Sequence, residues 1–447
     1  MENKIGLRRW LMFILAGFVG QLAWAIENNY FNVYVFDCTA QYTFVPIMTA
    51  ASAAAATITT LLMGAVSDRL GKRKLFISIG YILWGISILL FAFLNPHSQF
   101  NLVANNIFVA GTMIVIMDCV MTFFGSTAND AAFNAFVTDN TTNDNRGKVE
   151  SVLSVLPLIA LIAVIVVATF FVDNSLGDNK RWDLFFYIFG GITLAIGVVS
   201  IFLAPKDIVQ PKRDVPYWKN IIYGFRPSVI KANPILYITL IAFMVFNIGL
   251  QVFMPYFILY VQNILLITGT TFMISLGIVL ITASLITVVF GLFMDKIGKN
   301  RIMIPALIVG AIGGVIIFFI PAEQSYTQIG LIIGGIVLMS GYLISTAVLG
   351  AKVRDCTPKN EVGLFQGVRM IFTVLIPMVI GPMVIAEIIC RLGGDSYEDP
   401  TYHIQVFPPN RWLFFATGII FALAIIPVII MIRKEKKLNE TREDSAE

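Results

Sequence analysis

Four ionisable side chains, Glu27, Asp118, Asp130 and Arg369, fall inside long apolar runs of this sequence. Such groups at membrane depth are costly and usually face a bundle interior or a water-filled cavity, so they are the residues with chemistry to offer. Carboxylates placed in this way take up and release protons, hold cations or accept hydrogen bonds from hydroxyl groups. Glu27 opens Glu27-Asn28-Asn29-Tyr30-Phe31-Asn32-Val33-Tyr34, a run too polar to face lipid. It lies about 25 Å from the inner end of its helix at ~1.5 Å per residue. Trp24 sits one turn before Glu27, and together with Tyr34 it offers an aromatic face to a ligand. Asp118 lies in Ile116-Met117-Asp118-Cys119, and Asn129, Asp130 and Asn134 follow further along the same run. For Arg369 the expectation is a structural ion pair with Asp130.

The elements that position these residues are membrane helices. Mean hydropathy is +0.83, with 57% hydrophobic and only 13% charged residues among 447, whereas soluble domains carry about half and a quarter. Near 20 residues are needed per span, so this length predicts about twelve helices and no sizeable soluble domain. Of 31 Lys and Arg residues, only Lys180, Arg181, Arg369, Arg391 and Arg411 lie outside the segments read as cytoplasmic. That asymmetry predicts a multi-pass cell-membrane protein with both termini in the cytoplasm. Basic residues spread over every inner loop argue against nucleic acid as a partner. Cys38, Cys119, Cys356 and Cys390 lack metal-ligand spacing, so no disulfide, metal or cofactor is expected. The chain has two histidines, His97 and His403, both in outer loops, and no catalytic set within its helices; an enzyme is not expected.

The apolar runs predict helices at about Trp10–Phe36, Phe44–Val66, Leu75–Leu94, Leu102–Val137, Val149–Val172 and Trp182–Ala204. A second six follow at about Pro234–Gln262, Thr271–Met294, Ile302–Ile320, Tyr326–Ala351, Gly363–Cys390 and Trp412–Ile432. The first bundle therefore spans 1–204 and the second 234–432. Between them, 205–233 reads as a cytoplasmic linker whose Trp218–Ile230 stretch suits an amphipathic surface helix. The charged tail 433–447 reads as disordered.

Two echoes tie the halves together. Gly64-Ala65-Val66-Ser67-Asp68-Arg69-Leu70-Gly71-Lys72-Arg73-Lys74 returns as Gly291-Leu292-Phe293-Met294-Asp295-Lys296-Ile297-Gly298-Lys299-Asn300-Arg301. Val137-Thr138-Asp139 returns as Val353-Arg354-Asp355 after the fourth helix of the second half. Aligning the halves sets Glu27 opposite Gln251, which shares a helix face with Asn247. The tenth helix, mate of the fourth, offers Tyr342, Ser345 and Thr346.

The repeated Gly-Asp loop resembles the signature between the second and third helices of each half in the major facilitator superfamily. The resemblance implies an all-α membrane protein of twelve transmembrane helices in two pseudo-symmetric six-helix bundles, rocking about a central site. Each signature loop then faces the other half, so Asp68, Arg69, Asp295 and Lys296 are expected to gate the inner side.

Ile116-Met117-Asp118, a long fourth helix ending in Val137-Thr138-Asp139 and a following basic residue resemble the glycoside-pentoside-hexuronide:cation symporters, the melibiose permease group. That resemblance implies that Asp118 contacts sugar. The second helix reads Ala50-Ala51-Ser52-Ala53-Ala54-Ala55-Ala56-Thr57-Ile58-Thr59-Thr60, without the acidic residues of that group's cation site. A proton is therefore favoured over sodium as coupling ion, carried by Glu27 or Asp118. The expectation is a monomeric secondary transporter bathed in membrane lipid, moving a glycoside or oligosaccharide with a cation. Asp118, Trp24, Asn28, Tyr34, Asn247, Gln251 and Tyr342 are its expected substrate contacts. The alternatives are a proton-driven exporter of amphipathic compounds and a lipid or lysolipid carrier; the fifth helix, Ser151–Ala160, lacks the Gly-rich Pro motif of drug antiporters.

Overall fold

A computed structural model describes residues 5–95, 106–141, 149, 152–205, 207, 223–322, 324–358, 362–393, 396–399 and 403–444. Among helical side chains, those of Asp68, Leu292, Met294, Asp295, 362–364, 366, 439 and 441–444 lie outside the description. The chain divides into two compact units, Met1–Tyr217 with Thr268–Met273, and Trp218–Ile267 with Ile274–Glu447.

The first unit holds six apolar helices. They are α1 (Leu7–Asn29), prolonged past a turn at Tyr30 by Phe31–Thr39; α2 (Phe44–Leu70); α3 (Arg73–Leu90); α4 (Ile107–Asp139); α5 (Leu156–Phe171) and α6 (Trp182–Leu203). Val149, Val152 and Leu153 are helical as expected, a turn falls at Ser154 and Val155, and α5 itself runs from Leu156 with Pro157 in its first turn, where proline's missing N–H costs nothing; 142–148, 150 and 151 lie outside the description. Among the described residues, eleven helices are long and apolar enough to cross a membrane, and α5 is a shorter apolar one.

The second unit takes α7 (Pro234–Ile264), α8 (Gly269–Ile297), α9 (Lys299–Phe318), α10 (Thr327–Cys356), α11 (Gly367–Leu392) and α12 (Trp412–Asp444). A short antiparallel hairpin, β1 (Tyr397–Glu398) with β2 (Gln405–Val406), joins the last two helices. Two expectations need correction here. The predicted Trp218–Ile230 surface helix is, in its described part, a tight turn at Tyr223–Phe225 and then a short helix at Pro227–Ala232, with Pro227 in its first turn, where a missing N–H is tolerated. The tail is helical over its described residues, because α12 runs on to Asp444. Glu435 anchors that extension, accepting from Lys352 Nζ at 2.6 Å and from Asn300 Nδ2 at 2.8 Å.

Close helix approach depends on residues without side chains, since little hydrophobic force drives helices together in lipid. α3 and α6 cross where Gly85 meets the Leu194 backbone; in the second unit α9 and α10 cross at Gly310 and Gly341. A Cβ on Gly341 would lie 2.2 Å from the Gly310 nitrogen. Gly341→Ala is therefore expected to destabilise the protein by about 1–3 kcal/mol, seen as a lower thermal midpoint in detergent. Gly277→Ala, where a Cβ meets nothing within 4 Å, is the control, and equal midpoints for the two variants would refute the crossing.

Candidate functional site

α1 and α4 meet along their polar faces, and that seam holds Glu27, Asp118 and Asp130. Asp118, Thr122, Ser126 and Asp130 recur at every fourth position of α4, which puts them on one side of the helix. The Thr122 hydroxyl donates to Glu27 Oε1 at 2.9 Å, linking α4 to α1. One turn on, Ser126 donates to Asp130 Oδ2 at 3.0 Å. The Ser52 hydroxyl of α2, which donates to the Thr49 carbonyl at 3.3 Å, lies near Asp118. Glu27 and Asp118 are 7% and 1% exposed, and each keeps one buried oxygen, Glu27 Oε2 and Asp118 Oδ1, without a hydrogen-bond partner.

This arrangement decides the chemistry available. Two carboxylates that feel each other's charge in an apolar interior cannot both stay bare, because each buried ion carries a desolvation penalty of several kcal/mol. Neither has a Lys or Arg partner among the described residues of its unit. The pair therefore has to hold a cation or a proton, and each unpartnered oxygen is a place for one. Among the described residues no group of three His, Cys, Asp or Glu side chains is placed to hold a metal ion.

A second network braces the seam. Trp24 Nε1 donates to Asn129 Oδ1 at 3.3 Å, Asn129 Nδ2 donates to the Tyr81 hydroxyl at 2.8 Å, and Tyr81 donates to the Ala16 carbonyl at 2.6 Å. Trp24 also packs on Trp84 with ring centroids 5.0 Å apart. A wide π-turn at Ser126–Phe133 carries Asn129 and Asp130; such turns insert extra backbone and recur at functional sites. Asn28 is exposed, with its amide bonded only to the Trp24 carbonyl of its own helix. Tyr34 has a different fate from the one expected. Its hydroxyl donates to the Phe91 carbonyl at 2.7 Å and its ring packs among Phe91, Trp182 and Phe186, so it belongs to the aromatic core and is spent on packing.

In the second unit Asn247 Nδ2 donates to the Thr373 carbonyl of α11 at 3.0 Å, beside a π-turn at Ile371–Leu375. Gln251 packs its Cβ against Gly381 of the same helix. Tyr342 stacks on Phe246 with centroids 5.9 Å apart, while the Ser340 and Ser345 hydroxyls of α10 are buried without partners. Arg369 is exposed and lies in this unit, Asp130 in the other.

The signature loops are built alike in both units. Gly71 and Gly298, at φ 63° and 92°, take the left-handed turn that glycine adopts without strain. Arg73, only 5% exposed, pairs with Asp139 at 3.1 Å and donates to Ser67; Lys299 pairs with Asp355 at 2.5 Å. The two sequence echoes thus bond to each other inside each unit. Arg69 and Lys296 are exposed at the ends of α2 and α8, and the side chains of Asp68 and Asp295 lie outside the description.

Bundles of apolar helices with acidic groups on their inner seams define a multi-pass membrane protein of the transporter type. The model of the Major Facilitator Superfamily matches residues 9–326 and again 239–447, and the chain belongs to that superfamily, one of transporters and not of enzymes. Among solved structures, a variant of the nucleoside transporter NupG superposes with TM-score 0.71 at 13% identity, covering 94% of this chain and 99% of that one. The xylose transporter XylE from E. coli, partially occluded and inward open, gives 0.63 at 15%, covering 95% and 98%. A bacterial homologue of the human lysosomal transporter Spinster gives 0.63 at 12%, covering 96% and 97%. At these identities the likeness is one of fold. No curated protein sequence matches the chain.

Proposed function

We propose that the protein is a proton-coupled symporter of the cell membrane, acting as a monomer with both termini in the cytoplasm, that moves a small polar solute of the glycoside or oligosaccharide class. The observation that carries this reading is the Glu27/Asp118 pair, buried, hydroxyl-linked and short of positive charge. A site that has to be neutralised before it can be comfortable in lipid is a site that moves protons across it. Protonation removes the charge when the pair is sealed from water; contact with water on the low-proton side releases it. The expected solute contacts are Asp118, Trp24 and Asn28 in the first unit and Asn247, Gln251 and Tyr342 in the second. Asp68 and Asp295 are assigned to gating. The solute class rests on the local resemblance of Asp118 to the melibiose permease group, and a neighbour described as a xylose transporter is compatible with it.

The test is counterflow and net uptake in proteoliposomes with labelled lactose, D-xylose and uridine, each with a pH gradient or a sodium gradient. Sugar uptake driven by the pH gradient alone supports the reading. Uptake that follows only sodium, or only uridine moving, replaces the ion or the solute. No movement of any of the three turns attention to the exporter and lysolipid alternatives.

A further inference from the structure

The four-residue spacing on α4 does more than bring Glu27 and Asp118 together. Asp118, Thr122, Ser126 and Asp130 span twelve residues, about 18 Å of helix rise. Each hydroxyl between the two acids is aimed at a carboxylate: Thr122 at Glu27 and Ser126 at Asp130. Asp130 is half-buried on the π-turn, where the helix widens. The charged and titratable groups that face it within the first unit are Glu27 of α1 and Tyr81 of α3. Tyr81 already serves Asn129 and the Ala16 carbonyl. Beyond Asp130 the ladder continues toward the Asp139 end of α4, with Asn134 donating to the Asp130 carbonyl and Thr138 to the Asn134 carbonyl.

From this geometry we infer that Asp130 is the station through which protons leave the Glu27/Asp118 pair, reached along the Thr122 and Ser126 hydroxyls toward the membrane face that carries the Gly64–Lys74 loop. The inference rests on the proton-coupled reading. In the transfer an O–H bond at Glu27 or Asp118 breaks and one at the Asp130 carboxylate forms. Each hydroxyl gives its proton forward and receives another, ending unchanged. One turn, about 6 Å of rise, separates Thr122 from Ser126, a length that one bridging water would span. Asp130 then passes the proton to bulk water. Among the described residues of α4, Asp130 is the one carboxylate between Asp118 and Asp139.

The inference can be tested without knowing the solute. Purified protein moved into D2O is followed by infrared spectroscopy, where exchange of a buried protonated carboxyl shifts its C=O stretch. In the parent, exchange of the pair is expected to be fast. In Asp130→Asn, which keeps an oxygen for the Ser126 hydroxyl, it is expected to slow by at least about tenfold, with Asp130→Glu restoring the rate. Ser126→Ala should slow it less. Exchange in Asp130→Asn at the parent rate, with the carboxyl band present, overturns the inference and leaves the symporter reading intact. A parent spectrum without any buried protonated carboxyl removes the proton-coupled reading and this path with it. An unaltered thermal midpoint in Asp130→Asn separates a lost station from a damaged fold.

Discussion

In Glu27→Gln, sugar accumulation driven by a pH gradient collapses while counterflow continues. One pH unit across the membrane stores about 1.4 kcal/mol, so one proton per sugar sustains about tenfold accumulation in the parent. The variant is expected to equilibrate at a ratio of about one. The substitution is gentle on structure, since glutamine keeps an acceptor for the Thr122 hydroxyl and places its amide where Glu27 Oε2 has no partner, within reach of the Asp118 charge. What it removes is a group that gains and loses a proton. Labelled lactose or xylose uptake in proteoliposomes, with the internal concentration read at plateau, checks this. A plateau equal to that of the parent would take Glu27 out of coupling and leave Asp118 as the only acid of the pair able to perform it.

Much of this architecture is legible in the sequence, for physical reasons. Repeated runs of about 20 apolar residues match the thickness of a bilayer and exceed what a soluble core uses, so the helix order emerges from hydropathy alone. The Gly-Asp loops repeat because each unit needs a glycine at positive φ where the chain leaves the helix, at Gly71 and at Gly298. What the chain does not reveal is how the echoes meet. Nothing in the spacing of Arg73 and Asp139, or of Lys299 and Asp355, indicates an ion pair until the helices are folded back on one another. The extension of α12 is hidden for a related reason. Its composition is that of a solvated tail, and the contacts of Glu435 with Lys352 and Asn300 that tie it to the bundle join residues far apart in the chain.

The seam itself is half legible. Rare carboxylates in an apolar run identify themselves, which is why Glu27 and Asp118 stand out from hydropathy and charge. Thr122, Ser126 and Ser52 do not, because membrane hydroxyls mostly bond their own helix carbonyls, as Thr49 and Thr169 do here. The signal that would have found two of them is the four-residue repeat from Asp118 to Asp130. Tyr34 shows the converse error. Aromatic residues near an acid suggest a ligand platform, but periodicity does not say whether a ring faces a cavity or the neighbouring helices, and Tyr34 faces Phe91, Trp182 and Phe186.

Asp118→Asn is the variant expected to lose most affinity for solute. A carboxylate accepting hydroxyl hydrogen bonds contributes about 1.5–3 kcal/mol through charge-assisted bonds, so its replacement should weaken binding by roughly ten- to a hundredfold. Asparagine preserves shape and an acceptor for Ser52, while its amide N–H groups turn a double acceptor into a mixed group that a sugar diol cannot grip in the same way. Trp24, packed at a tilt against Trp84 at the same seam, makes intrinsic fluorescence a suitable reporter, and titration with lactose or xylose gives the two dissociation constants. The comparison with Glu27→Gln separates the roles of the two acids. If Asp118 grips solute and Glu27 carries the proton, Asp118→Asn loses affinity in binding and counterflow alike, whereas Glu27→Gln loses accumulation with affinity nearly kept. If both variants keep affinity and both lose accumulation, the pair is a proton site alone, the likeness of Asp118 to the melibiose group's sugar-binding aspartate fails, and the solute contacts have to be sought among Trp24, Asn28, Asn247, Gln251 and Tyr342.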